Sequence, residues 1–368
     1  MNRRLFLLSS VGLLAGCAAA PIGAPLPTVP PPSTPPPPVP PMPRDMAGFL
    51  TGPDPVLSPT GDAAFDAYVK RVLDEGGSAW RPYLLRVLNG VQPDRRILDQ
   101  YMTERSMWVT GVGDYIKALV TPERITEGRR LVQASPALKR VAADKRVPVE
   151  VLAAYWGAAS DYGRQHGQYD LITTLMTLGA YGKGPPWANW DIYLATQMIA
   201  QGRVAREELT SFADGSMGQL RWYPENYLRW AADGDGDGRV DIWGSAPDVV
   251  ASIGNLLGRG WEPGVPWVYE VLPPKWYPNN PMDARRIRGN TFQARMLLRA
   301  DGRPWRPEEL NQYGELIWPP SAPGRVFMTF RNFAPLAYSS GTIPIQDADE
   351  QQAWGIAVGL LANRIREG

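Results

Sequence analysis

The 368-residue sequence has one cysteine and one histidine. A lone thiol makes no intramolecular disulfide, no Cys-based zinc site and no redox pair, and His166 alone excludes a multi-histidine metal centre. Any catalysis must use carboxylates, hydroxyls or amides. An excess of charge of either sign is missing too: 38 Lys+Arg stand against 37 Asp+Glu, a formal net charge of +1. Without a basic footprint to meet a phosphate backbone, nucleic acid is excluded as a partner. Long apolar runs are scarce, and the one from Leu5 to Ala15 falls well short of the roughly 20 residues a membrane-spanning helix needs. What the chain has in quantity is 38 Pro, 37 Gly and 14 Trp. That composition suits an extended carbohydrate-lined groove better than a compact nucleotide site. The 44% hydrophobic content excludes disorder throughout and fits one large domain or two ordinary ones.

Arg3 and Arg4 precede the Leu5–Ala15 run, which reads as an export signal. It ends Leu14-Ala15-Gly16-Cys17, which resembles a bacterial lipobox, so residues 1–16 are expected to be a signal peptide and Cys17 the lipidated residue. Ala18 in place of an aspartate resembles lipoproteins sorted to the outer membrane, and a periplasmic, membrane-anchored protein is expected. Asn2-Arg3-Arg4-Leu5-Phe6-Leu7 also resembles a twin-arginine motif, leaving the export route open. Between Pro21 and Pro43 lie 13 of the 38 prolines. This polyproline-type stalk, part of an anchor and linker over residues 17–48, reaches on the order of 70 Å at about 3.1 Å per residue. Residues 49–368 form the expected globular body.

There the patterning is mostly helical. Phe65, Tyr68, Val69, Val72 and Leu73 recur at helical spacing before Gly76-Gly77, and Tyr83, Leu84, Val87 and Leu88 do so before Gly90. Pro148 suits a first helical turn, and Val149, Leu152, Ala153 and Trp156 mark a buried face running toward Gly163. Trp354, Val358, Leu361 and Ile365 predict a closing helix. Over about residues 261–340, short runs such as Trp267–Tyr269 and Val326–Phe330 lie between Pro and Gly, predicting a small β subdomain. The fold class is therefore mainly α, of the α+β kind. Trp187, Trp190, Trp222 and Trp267 are large enough to stack on sugar faces or to fill a core.

The most specific chemical pattern is a metal loop within residues 233–248. Asp233, Asp235, Asp237 and Asp241 occupy positions 1, 3, 5 and 9 of an EF-hand-type loop, with Gly238 at position 6 and Arg239 offering its carbonyl at position 7. Hard oxygen donors point to a structural calcium ion. Four aspartates this close repel one another unless a cation neutralises them. Gly244 stands at position 12 where a bidentate Glu is usual, so Asp248 is the expected last ligand.

Met217-Gly218-Gln219 and Trp222-Tyr223-Pro224 precede this loop; Asp241-Ile242-Trp243, Asp248 and Ala251-Ser252-Ile253 follow it. With these flanks it resembles the loop of the membrane-bound lytic murein transglycosylase B family, glycoside hydrolase family 103. Leu152-Ala153-Ala154-Tyr155-Trp156-Gly157, Ser160-Asp161-Tyr162-Gly163, Gly167-Gln168-Tyr169-Asp170, Thr177-Leu178, Asn332-Phe333 and Ala357-Val358 follow in that family's order, so the likeness extends over roughly residues 65–365. The resemblance implies a lysozyme-like, mainly helical fold with a peptidoglycan groove that the calcium loop buttresses. It also implies cleavage of the MurNAc–GlcNAc bond without water, giving a 1,6-anhydro sugar. One glutamic acid acts first as acid and then as base, which needs a carboxyl of raised pKa in a partly apolar site. Ser211, Gln219, Arg221, Tyr223, Asn332 and Tyr338 fall near positions that contact glycan, with Asp214 an extra residue between Ser211 and Gly215. The implied partners are glycan strands and, for a platform, cell-wall proteins.

The sequence departs from the family at the decisive place. Trp156-Gly157-Ala158-Ala159-Ser160 puts Ala159 where the acid belongs, and a methyl group donates no proton. Asp161 is two residues on, about 200° away on a continuing helix. Glu150 lies more than two turns back. Arg221 replaces an amide expected to meet the sugar. Gly182-Lys183-Gly184-Pro185-Pro186 lacks the paired arginines expected after Ala180-Tyr181, Tyr338-Ser339 lacks an asparagine, and residues 341–351 resemble an insertion. The reading is a peptidoglycan-binding protein with impaired catalysis; the alternative is an active lytic transglycosylase.

Overall fold

The structure, a computed structural model, describes residues 46–108, 111–183, 188–273, 291–337 and 348–367. The expected signal peptide, Cys17 and the proline-rich stalk lie outside the described residues, as do Trp187, Tyr338 and residues 341–347. No described helix is long and apolar enough to cross a membrane.

Helix α1 (Ala63–Leu88) begins where Asp62 accepts hydrogen bonds from the Ala64 and Phe65 amides. The two expected amphipathic segments both lie in it, separated by a kink at Gly77, whose φ of 60° and ψ of −165° suit only glycine. Helices α2 (Arg95–Trp108), α3 (Val112–Leu119), α4 (Pro122–Ala134) and α5 (Pro136–Lys145) follow. Proline opens α4 and α5 directly after a capping hydroxyl, from Thr121 and Ser135 respectively.

Helix α6 (Val149–Ser160) is the centre of the helical body. The periodicity predicts one buried face, but every residue from Val151 to Ser160 is buried. The helix packs against α4, α5, α10 (Ala246–Gly258) and α12 (Ala348–Arg366), and against the short turn Gly218–Leu220. Neighbours on all sides explain an almost wholly apolar helix. Around it lie α7 (Leu171–Ala180), α8 (Ala188–Ala200), α9 (Pro224–Trp230), α11 (Phe333–Ala337) and a two-residue antiparallel pair, β1 (Tyr169–Asp170) with β2 (Thr210–Ser211).

A second, smaller core lies in an antiparallel sheet of β3 (Val268–Val271), β4 (Thr291–Gln293), β5 (Tyr313–Ile317) and β6 (Val326–Thr329), in the order β3-β6-β5-β4. The chain after β4 returns to β3, with Val271 bridging Arg299 and the Leu272 amide donating to the Leu298 carbonyl at 2.8 Å. Tyr269, Leu297, Trp305, Leu316, Met328 and Phe330 fill the space so enclosed. Of the two roles open to the tryptophans, Trp222 and Trp267 take the core one, being buried, whereas Trp190 is half-buried.

Candidate functional site

Helix α6 ends abruptly. Asp161 and Tyr162 adopt left-handed φ values of 53° and 59°, followed by Gly163 at 87°. Two non-glycine residues in that region need outside support. Tyr162 has it: its hydroxyl donates to the Arg124 carbonyl at 2.7 Å and its ring lies edge-on to Trp156 at 5.9 Å. Gly157 makes room, since a Cβ there would lie 2.4 Å from the Tyr162 ring. Because the helix stops at Ser160, the bearing expected for Asp161 on a continuing helix does not apply. The Asp161 carboxylate instead meets Arg164 at 3.0 Å and Arg124 at 3.5 Å. Ala159, in the last turn, is only 4% exposed and belongs to the main apolar core.

Gln219 ties this helix end to the acidic loop. Its side-chain oxygen accepts from the Trp156 indole at 2.8 Å, its amide donates to the Trp243 carbonyl at 2.8 Å, and its backbone N–H donates to the Ile242 carbonyl at 2.8 Å. Gly163 lets it approach, because a Cβ there would sit 2.4 Å from the Gln219 oxygen. Ser211 is buried and donates to the Thr174 hydroxyl at 3.2 Å. Asn332 is buried and joins the Glu262 amide and the Glu262 and Val265 carbonyls at 2.7, 2.8 and 2.7 Å, which secures the turn before β3. These polar groups are engaged within the protein.

Arg221 adopts a left-handed turn position, with φ of 52°. Its guanidinium lies 3.8 Å from the centre of the Phe212 ring and bonds the Asp214 carboxylate at 3.1 Å, leaving the side chain 13% exposed. Asp214 also accepts from the Ser216 amide and hydroxyl, while the Tyr223 hydroxyl donates to its carbonyl at 3.4 Å. Asp214 is thus the counterion of Arg221. Burial raises the Tyr223 phenol well above its ordinary pKa.

Two features have little sequence signal. Asp191 on α8 is 1% exposed, and its Oδ2 has no hydrogen-bond partner. Burial, with Glu225 adding repulsion, pushes its pKa well above the carboxylate range. The only hint is an aspartate inside the apolar run Trp190–Leu194. The other is Ser245, whose hydroxyl donates to Asp235 at 3.1 Å and caps α10 through the Asp248 amide.

In the acidic loop, Asp233, Asp235 and Asp248 bring carboxylate oxygens within 4.8 Å of one another. Asp237 and Asp241 are not part of that group. Asp237 accepts from the Arg239 amide at 2.7 Å, and Asp241 accepts from the Trp243 and Gly244 amides at 2.8 Å each. Gly236 and Gly238 have φ values of 83° and 88°, and a Cβ at Gly234 would lie 2.1 Å from the Pro247 carbonyl oxygen, which explains the alternating glycines. The ligand candidates also bind backbone: Asp233 accepts from Gly236 and Gly238, and Asp248 from Gly234 and Asp241, the latter two at 2.7 Å. Three clustered carboxylates of hard oxygen chemistry fit a calcium ion.

A family model for the transglycosylase SLT domain matches residues 63–338, about three quarters of the chain. The chain belongs to this family, within the lytic transglycosylases that resemble membrane-bound lytic murein transglycosylase B. That protein from Escherichia coli (strain K12) is 26% identical over 153 residues, 41% of this chain and 42% of the relative's own length. SltB3 from Pseudomonas aeruginosa, crystallised with NAG-anhNAM-pentapeptide, is 28% identical with a TM-score of 0.66 over 84% of this chain and 80% of that one. Escherichia coli Slt35 in complex with calcium shares the fold, with a TM-score of 0.60 at 17% identity over 89% of this chain and 99% of that one.

Proposed function

We propose that the protein is a lipid-anchored, peptidoglycan-binding member of the lytic transglycosylase family whose catalysis is impaired. The observation that carries this reading is the buried methyl of Ala159 in the last turn of α6, where the family's acid/base glutamate is expected. Asp161 and Asp191 make poor replacements. Asp161 is engaged in ion pairs with Arg164 at 3.0 Å and Arg124 at 3.5 Å. Asp191 is disposed to keep a proton, but its burial keeps it from a sugar oxygen. Loss of a positioned general acid typically removes about 10²–10⁴ in rate, and the same group is needed twice in this reaction. The Arg221–Asp214 pair supports the reading, since it sets an internal ion pair where an amide is expected to meet the substrate.

Peptidoglycan as the ligand is supported by family membership and by the NAG-anhNAM-pentapeptide complex of SltB3. Asp233, Asp235 and Asp248 would hold calcium, which would neutralise their repulsion and pin the loop that Gln219 joins to α6. Slt35, which shares the fold, was crystallised with calcium. Attachment through Cys17 would place the domain in the periplasm, at the outer membrane.

The test combines binding to purified sacculi with analysis of released muropeptides. Retention on sacculi without 1,6-anhydro products is expected. Release of those products at the rates of active relatives would establish the alternative, a working transglycosylase, and failure to bind sacculi would remove peptidoglycan as the ligand.

A further inference from the structure

A cleft of about 520 Å³ opens where the α1–α2 loop meets the first turn of α7 and the connection from α8 to β2. Its size lies within the range of small-molecule sites, roughly 300–1,000 Å³. Six polar side chains line it: Asn89, Gln92, Asp94, Arg96, Thr173 and Arg206. Asn89 and Gln92 are exposed amides on the rim, able to both donate and accept. The Arg96 side chain is 86% exposed and is held in one orientation by two bonds to Asp94, at 2.9 and 2.7 Å.

Arg206 differs from Arg96. Its side chain is only 26% exposed and it forms a two-nitrogen ion pair with Asp170, a carboxylate already committed to capping α7 through the Thr173 amide at 2.7 Å. Burial lowers the Arg206 pKa, so removal from water disfavours its charge. A second anion beside it would relieve that cost. Lining residue Thr173 precedes Thr174, whose hydroxyl accepts from the buried Ser211 at 3.2 Å and ties this turn of α7 to β2.

We propose that this cleft binds the carboxylate-bearing peptide stem of peptidoglycan. Asn89 and Gln92 pair with its peptide groups, and Arg96 and Arg206 with its carboxylates. The inference rests on the peptidoglycan-binding reading and adds to it a separate place for the peptide. It also supplies cationic contacts that the 182–186 segment, with one lysine and no arginine, lacks.

The test uses the full-length protein in detergent micelles, titrated calorimetrically with a free stem tripeptide and, separately, with a peptide-free GlcNAc-MurNAc tetrasaccharide. The tripeptide is expected to bind the wild type. Its affinity should fall about tenfold in the Gln92→Ala/Arg96→Ala variant, and by a similar factor when its carboxylates are amidated. Tetrasaccharide affinity should stay within about twofold, because exposed residues away from the Trp156–Gln219 network are changed. A wild type that ignores the tripeptide, or a variant that binds it undiminished, overturns the proposal. Tripeptide binding that depends on Gln92 and Arg96 without any tetrasaccharide binding would leave the cleft standing and remove the glycan reading instead.

Discussion

The acidic loop and the end of α6 are both places where the family resemblance expects carboxylates to act, and they have gone opposite ways. In the loop, Asp233, Asp235 and Asp248 all remain, and each accepts hydrogen bonds that shape the chain around it. In α6, Ala159 carries no polar group and sits in the apolar core. The contrast follows from what each carboxylate does for folding. Removing Asp248 would strand the Gly234 and Asp241 amides. A catalytic glutamate in a partly apolar site carries a desolvation cost and need not hold the fold together, so alanine at that position would relieve the fold while removing the acid. On the proposed reading, binding and shape would outlast catalysis in the same domain.

The sharpest attempt to break this contrast is Ala159→Glu. Alone it should raise 1,6-anhydro muropeptide release by no more than about 10², because the Arg221–Asp214 pair is untouched. Adding Arg221→Gln with deletion of Asp214 should raise the rate further. Full recovery by the single substitution would mean that only the acid was lost. The same substitution should lower stability by about 1–3 kcal/mol, read as a falling Tm, since a larger polar side chain is forced into a packed site.

Next in size is Asp248→Ala. Leaving two partly buried amides without their acceptor should cost about 1–3 kcal/mol each. In the wild type, calcium at a hundred times its Kd should add about 2.7 kcal/mol, removable by chelation. The variant should lose both. Thermal unfolding with and without chelator measures the two effects, and an unchanged Tm on chelation of the wild type would separate the loop's folding role from metal binding.

Much of this contrast was legible in the sequence because both regions are local. Three aspartates alternating with glycines and a fourth at Asp241, and Ala159 three residues after Trp156, need no tertiary information. The helices on either side of Gly77 were readable for the same reason, from short-range periodicity and one glycine. What could not be read depends on contacts between distant segments. Asp161 leaves the helix because Tyr162 is anchored 38 residues away at Arg124. Gln219 and Asn332 look like free amides until the structure shows them bridging Trp156 to Trp243 and securing the turn at Glu262. The 520 Å³ cleft combines residues 89–96, 173 and 206, which no spacing rule connects.

Asp191 makes stability depend on pH. Its folded pKa is raised, so the folded protein holds that proton more tightly than the unfolded chain. Its contribution to stability is fully present below the ordinary aspartate pKa of 3.8 and is lost as pH rises toward and through the folded value. Asp191→Asn keeps the shape and removes the titration. The variant should therefore gain Tm relative to wild type as pH rises from 4 to neutral, in paired melting curves, whereas a constant difference would mean that Asp191 is not holding a proton when folded.

The smallest effect should come from Arg239→Ala. The EF-hand pattern asks position 7 for a backbone carbonyl, which the substitution keeps. The Arg239 side chain instead reaches Glu208 at 3.1 Å, with both partners more than half exposed. Such a surface pair contributes about 0–1 kcal/mol, further reduced by salt. Calcium affinity should thus remain within about twofold and Tm should hardly move. A large loss of calcium binding would show that the guanidinium orders the loop, and the division between its backbone-shaping carboxylates and its solvent-facing charges would have to be redrawn.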